Sequence, residues 1–281
     1  MGAFFAFWTG GSVGWHDGGM IGFLMEAVPH DKAAGWLRGK VVLGRAEFDE
    51  LAPELKGWAF TCAGLDGERA LERAREACAA VPEGGDWEES REAIKRELMA
   101  DDVSCFSFLE MDALGGDERE SVEARATRQA ELVLRMNVGQ AYAYAKTAMV
   151  DRHADIFTHK QYLCMEDDRV RPEHAALHGL VLPAADPFWS GHTPPWDFNC
   201  RCTFAALMAS EVEEIADGEA DLAPEESSVL DEGQLEALHR TGRLVRGNQV
   251  FDLRTPRQRL GEKGYEWDPR QAGRDPAEVS R

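Results

Sequence analysis

Between Asp117 and about Val150 the chain contains no proline and is rich in Ala, Glu and Arg. Such a run is too long for a strand and predicts one long helix. Val122, Ala126, Val133, Met136 and Gln140 are expected near a common face of it. Gly139 is its weak point, costing about 1 kcal/mol relative to Ala, unless it lets another element pack closely. Everything else must be arranged around this rod.

Upstream, the patterns are also helical. Pro29 to Lys40 predicts a helix capped by Asp31, with Ala33, Ala34, Trp36 and Leu37 on its apolar side. A second helix starts near Arg45, carries Phe48 and Leu51 on one face and stops before Pro53. A third spans Asp66 to Ala80, with Leu71, Ala74 and Cys78 at helical spacing, and ends at Pro82 and Gly84-Gly85. Asp86 caps a fourth, with Trp87, Ile94 and Leu98 on one stripe. Gly115-Gly116 is a hinge candidate.

Downstream of Ile156 the character changes. Gln161 to Met165 predicts a strand, Asp167-Asp168 a turn, and Pro172 to Gly179 a short helix that opens on proline and ends on glycine. Leu180 to Leu182 predicts a second strand. Prolines 183, 187, 194 and 195 bracket a loop carrying Phe188, Trp189, His192 and Trp196, and Asn199 to Ala205 predicts a third strand. After Ala209 the chain turns acidic. A helix over Asp231 to His239, an edge strand over Val250 to Leu253 and a polar surface end from Lys263 complete it. The expected fold class is α+β: an arm over 1–28, flexible or bound to a partner, a mainly helical region over 29–116, a compact α+β core over 117–210 and an acidic, partly irregular tail over 211–281.

The net charge of −20 excludes a surface that is nucleic-acid binding throughout, because phosphates would be repelled. The apolar start lacks a basic lead and is broken by glycines, so no secretory signal is expected. No run approaches the ~18 apolar residues of a membrane span. Cys62, Cys78 and Cys105 are scattered and read as small buried apolar residues, not as a disulfide framework.

The remaining cysteines share a neighbourhood with histidines and aspartates: Cys164, Asp167, Asp168, His174, His178, His192, Asp197, Cys200 and Cys202. His174 and His178 stand four apart on a predicted helix and share a face, as do Cys200 and Cys202, two apart on a predicted strand. Two such pairs could close a tetrahedral zinc site from sulfur and nitrogen. The alternative is a small core in which His174 hydrogen-bonds and the thiols pack as apolar groups. No H-E-x-x-H or comparable catalytic motif is present. Arg201 should point away from the two thiols, and a guanidinium beside Asp167 or Asp168 would pin the helix to the strand through a bidentate pair. Trp189 and Trp196 should cover the core, or anchor an assembly contact if exposed.

The string D-D-R-V-R-P-E-H-A-A-L-H-G, followed by P-P-W-D-F-N-C-R-C, resembles the signature of the phage head morphogenesis, or Mu F-like, minor head protein family. The matching residues are Asp167, Arg169, Pro172, His174, Leu177, Gly179, Pro194, Pro195, Asn199, Cys200, Arg201 and Cys202. R-M-N-V-G-Q-A-Y from Arg135 and G-E-K-G-Y-E-W-D-P near the end are similar to further elements of that family. Where some relatives carry a cysteine, this chain has Arg171, which stays protonated and cannot ligate a metal. Any zinc would use His174, Cys200 and Cys202 with His178, Cys164 or Asp197. The resemblance implies a non-enzymatic minor capsid protein of the virion head, made in the bacterial host cytoplasm. It would act near the portal vertex, with portal, scaffold or major capsid protein as partners. Two other classes stand beside it: a zinc-dependent hydrolase or nuclease carried in the head, and a DNA-contacting packaging or ejection factor.

Overall fold

A computed structural model of the chain describes residues 30–100, 121–165, 167–218, 228–261 and 267–270. The expected arm over 1–28, the Gly115-Gly116 hinge and Cys105 lie outside them. Helix α1 (His30–Gly39) is followed by strand β1 (Val41–Val42), helix α2 (Arg45–Glu50) and strand β2 (Ala59–Phe60), which pairs parallel with β1. Helices α3 (Glu68–Ala80) and α4 (Trp87–Ala100) come next, separated by Gly84 in the left-handed region. Asp86 Oδ1 accepts from Glu89 N at 2.9 Å, the cap its position predicts. Ala33, Ala34, Trp36 and Leu37 of α1 are buried as their spacing requires, and so are Leu71, Ala74 and Cys78 of α3 and Ile94 and Leu98 of α4.

The rod is α5 (Val122–Arg152), capped by the Ser121 hydroxyl, which accepts from Ala124 N at 3.2 Å. Helices α1 and α4 pack along it. Its buried stripe differs from the expected one. Ala126, Ala130, Val133, Leu134, Val138, Ala141 and Ala145 are buried, whereas Val122 is exposed and Met136 and Gln140 are half-buried. Alanines share the buried face with Val133, Leu134 and Val138, and their small size lets the helices meet closely. Gly139 serves the same purpose: a β-carbon on it would stand 3.2 Å from Pro195 Cγ.

A turn after Arg152 leads into a four-stranded sheet ordered β5-β3-β4-β6. It comprises β3 (Phe157–Leu163), β4 (Leu180–Pro183), β5 (Thr203–Met208) and β6 (Ser228–Val229). Helix α6 (Pro172–Ala175) lies between β3 and β4, and α7 (Trp189–His192) between β4 and β5. Central β3 pairs antiparallel with both neighbours, Gln161 opposite Val181 and Ala205. The third strand begins four residues later than expected, so Cys200 and Cys202 lie in the lead-in to β5. Helix α8 (Ala209–Asp217) packs on β3 and β5, and helix α9 (Glu232–Thr241), capped by Asp231, precedes the hairpin β7 (Arg243–Arg246) and β8 (Gln249–Asp252). Helix α10 (Pro256–Leu260) follows.

The expectation of a polar surface end from Lys263 is corrected at residues 267–270. Trp267 is buried and meets the Trp36 ring of α1 edge-on, with centroids 5.5 Å apart. Arg270 forks onto Asp151 at 2.8 and 2.9 Å and reaches Ala184 O at 2.7 Å. Trp267 is therefore part of the core, because a tryptophan ring has a large apolar area to bury.

Candidate metal centre

Two segments converge at the C-terminal end of β3, around Tyr162. Pro172 opens α6, and the turn that follows closes on Gly179, whose φ of +74° a side chain would resist and whose N–H donates to Tyr162 O at 2.9 Å. This presses His174 inward, leaving it 2% exposed. The second segment is Pro194 to Cys202, which begins with a cis Pro194-Pro195 peptide. Asn199 adopts φ +56°, a left-handed conformation that asparagine tolerates, and its Oδ1 accepts from Arg135 of α5 at 2.7 Å. That turn brings both thiols back toward α6.

His174 Nδ1 lies 3.6 Å from Cys200 Sγ, 3.6 Å from Cys202 Sγ and 3.3 Å from Tyr162 Oη. The imidazole and the two thiols keep their ligand atoms within 4.8 Å of one another. The His174 ring stacks on Trp196, centroids 4.3 Å apart and planes 4° from parallel. Trp196 Nε1 donates to Tyr162 Oη at 2.9 Å, which closes the ring of contacts. The hydrogen bond from Cys202 draws the Cys200 thiol well below its ordinary range, with His174 adding to it, while Cys202 is pushed up by the same pairing and by burial. Burial raises Tyr162, so it stays a phenol.

The surrounding charges are arranged in pairs. Arg201 grips Asp167 through two bonds of 2.6 Å, the bidentate pin expected between these segments, and holds the Asp167 carboxyl far below the usual range. Arg169 N also donates to Asp167 at 3.1 Å. Arg171 pairs with buried Asp197 at 2.9 Å, reaches Phe198 O, and has Nη1 3.3 Å from His174 Nε2. Arg259 of α10 also holds Asp197. A cavity of ≈ 140 Å³ opens beside the cluster. Arg135, Arg169, Arg171 and Arg201 line it with Cys200 and Cys202.

Of the four metal-ligand candidates from the sequence, the structure gathers His174, Cys200 and Cys202. His178 is elsewhere. The helix is a single turn, so the four-residue spacing no longer sets a shared face, and His178 Nδ1 instead accepts from Cys164 N at 3.1 Å. His192 turns both ring nitrogens to the backbone carbonyls of Phe188 and Leu253. Trp189 and Trp196 are each 1% exposed and belong to the core, not to an assembly surface. Tyr162 and Arg135 escaped the ligand reading. Only their place beside the motif signalled them, since neither type is an ordinary zinc ligand.

The phage Mu protein F-like family model matches residues 74–205. The putative capsid assembly protein F of Escherichia phage Mu is 36% identical over 100 residues, which are 36% of this chain and 23% of that protein. The Mu-like prophage FluMu F protein of Haemophilus influenzae is 30% identical over 133 residues, 46% of this chain and 32% of the relative. An uncharacterized protein of Methanocaldococcus jannaschii shares 45% over 47 residues, 16% of this chain and 7% of its own. The matched regions thus span no more than a third of these relatives. No solved structure matches. Residues 74–205, which hold α5 and the His174–Cys200–Cys202 cluster, are thus similar to the phage Mu protein F-like family.

Proposed function

We propose that this chain is a structural component of a tailed-phage head, acting in head assembly through protein–protein contacts and not as an enzyme. The observation that carries this reading is the family match over 74–205, together with a relative named for capsid assembly. The use of the motif's charges supports it. Arg201 and Arg171, the cations nearest the cluster, are committed to Asp167 and Asp197, so they hold the fold together and are less available to DNA phosphates. The acidic surface of a chain with net charge −20 suits a basic partner face.

In this reading the protein sits in the virion head near the portal vertex, after assembly in the host cytoplasm. Portal, scaffold or major capsid protein is the partner. The test is a deletion of its gene in the phage or prophage that carries it, with an epitope-tagged copy supplied in trans. The expected result is a loss of filled heads, rescued by the tagged copy, which then co-sediments with procapsids. Normal yields of filled heads without the protein, and its absence from particles, would overturn the proposal.

A further inference from the structure

We infer that His174, Cys200 and Cys202 form a zinc site that ties the α6 turn to the strand entering β5. The inference stands apart from the head-assembly reading, because it rests on the cluster's own geometry.

The distances come first. A tetrahedral zinc with a Zn–N bond of about 2.05 Å and Zn–S bonds of about 2.3 Å separates nitrogen from sulfur by about 3.6 Å. Both Nδ1···Sγ distances are 3.6 Å. The direction of the imidazole nitrogen agrees with these distances. Nδ1 has one in-plane position, occupied by either a proton or a lone pair. It faces three groups at once: the two thiols and the Tyr162 hydroxyl. A hydrogen bond satisfies one of them, whereas a cation on the lone pair serves both sulfurs together. The donor set suits zinc as well. One imidazole and two thiols, with the two histidine and cysteine segments far apart in sequence, are what a borderline-soft ion prefers and what cross-links two loops.

The fourth position opens on the cavity. At ≈ 140 Å³ it exceeds by far the roughly 10–15 Å³ that one water needs, and it is lined by polar groups. Water completes the tetrahedron there. Arg171 has to accommodate the ion: metal on Nδ1 sends the His174 proton to Nε2, where it faces the guanidinium 3.3 Å away. Arg171 keeps two other acceptors, Asp197 and Phe198 O, and can turn to them.

The full chain, expressed in zinc-supplemented medium, should carry about one zinc per molecule by elemental analysis. Replacement by cobalt should give the sulfur-to-metal charge-transfer absorption of two thiolates. The double variant C200S/C202S should lose both signals. A second measurement covers the case in which that variant does not fold. In the wild-type protein, zinc should shield Cys200 and Cys202 from alkylation, mapped by mass spectrometry, and chelator treatment should expose them. Failure of the wild-type protein to hold or take up zinc, zinc retained in a folded C200S/C202S variant, or labelling of these two thiols that ignores zinc, would each overturn the inference.

Discussion

The helical region over 30–100 and the sheet region over 153–210 hold themselves together differently, and their cysteines and lysines show how. Cys78, in α3, is enclosed by apolar helix faces, and burial pushes its thiol up into an inert, protonated state. Cys200 is as well buried, yet its partners Cys202 and His174 draw it down. The residue is the same; what differs is whether the wall around it can hydrogen-bond. Lys40 and Lys160 make a matching pair, each pushed down to about 7 by burial. Lys40 has the Trp36 ring at 4.1 Å and Asn137 Oδ1 at 3.4 Å. Lys160 lies over the rings of Phe204 and Trp189, and its Nζ has no hydrogen-bond partner among the described residues. The cysteines set enclosure by apolar area in the helical region against a hydrogen-bonded cluster in the sheet region, while the lysines run the other way, Lys40 keeping a partner that Lys160 lacks among the described residues.

Breaking the network should therefore cost more than removing area. Trp196→Ala removes a fully buried ring, the stacking on His174 and the bond to Tyr162 together. Chemical denaturation should show a loss of about 3–5 kcal/mol. Leu71→Ala, on the helical side, should fall at the lower end of about 2–5 kcal/mol, and equal losses would erase the distinction.

Lys160→Met should act in the opposite direction, stabilising the protein by roughly 2 kcal/mol at pH 7, because a buried amine is replaced by an apolar chain of similar length. The sign of the pH dependence follows. The folded amine titrates near 7 and the unfolded one near about 10.4, so its penalty is full below pH 7 and shrinks as the pH rises between those values. The wild-type protein should gain stability relative to the variant over that window, as read from denaturation midpoints. Lys40→Met should gain less.

Asp167→Asn tests the Arg201 pin. The folded carboxyl is held below its unfolded value, so its contribution is present above about pH 4 and is lost as the pH falls from there. The stability gap between wild type and variant should be widest at neutral pH and close in acid; a gap that does not change with pH would assign the effect to packing alone.

The smallest effects concern two helical glycines. Gly35→Ala in α1 meets nothing within 4 Å and should raise the melting temperature, in line with a gain of about 0.5–1 kcal/mol. Gly139→Ala in α5 gains the same propensity but presses on Pro195, so its net change should lie near zero. A clear gain at Gly139 would mean that Pro195 yields to the added methyl and that the 3.2 Å approach does not constrain α5.

Much of this was readable in the sequence. The helices at Trp36, Cys78 and Ile94 followed from spacing, and the Asp86 cap from residue type. A bidentate pin between a motif arginine and Asp167 or Asp168 followed from placing a fork-shaped cation beside a carboxylate; only the structure selects Arg201 and Asp167. The errors have local causes. The spacing on α5 predicts burial of Val122, Met136 and Gln140, but the buried face turns toward the alanines beside Leu134 and Val138. The shared face of His174 and His178 exists only if the helix continues past Ala175. The polar composition after Lys263 hides the burial of Trp267.

By itself the sequence determined the periodic elements, the α+β class and the motif from Asp167 to Cys202, since caps, turns and hydrophobic spacing act over a few residues. Only the tertiary structure decided that Nδ1 of His174 faces both thiols, that Tyr162 and Trp196 close the ring around it, and that Trp267 returns to Trp36. Those contacts join positions dozens to hundreds of residues apart. No local periodicity encodes them; they are fixed when buried area and polar satisfaction are settled together.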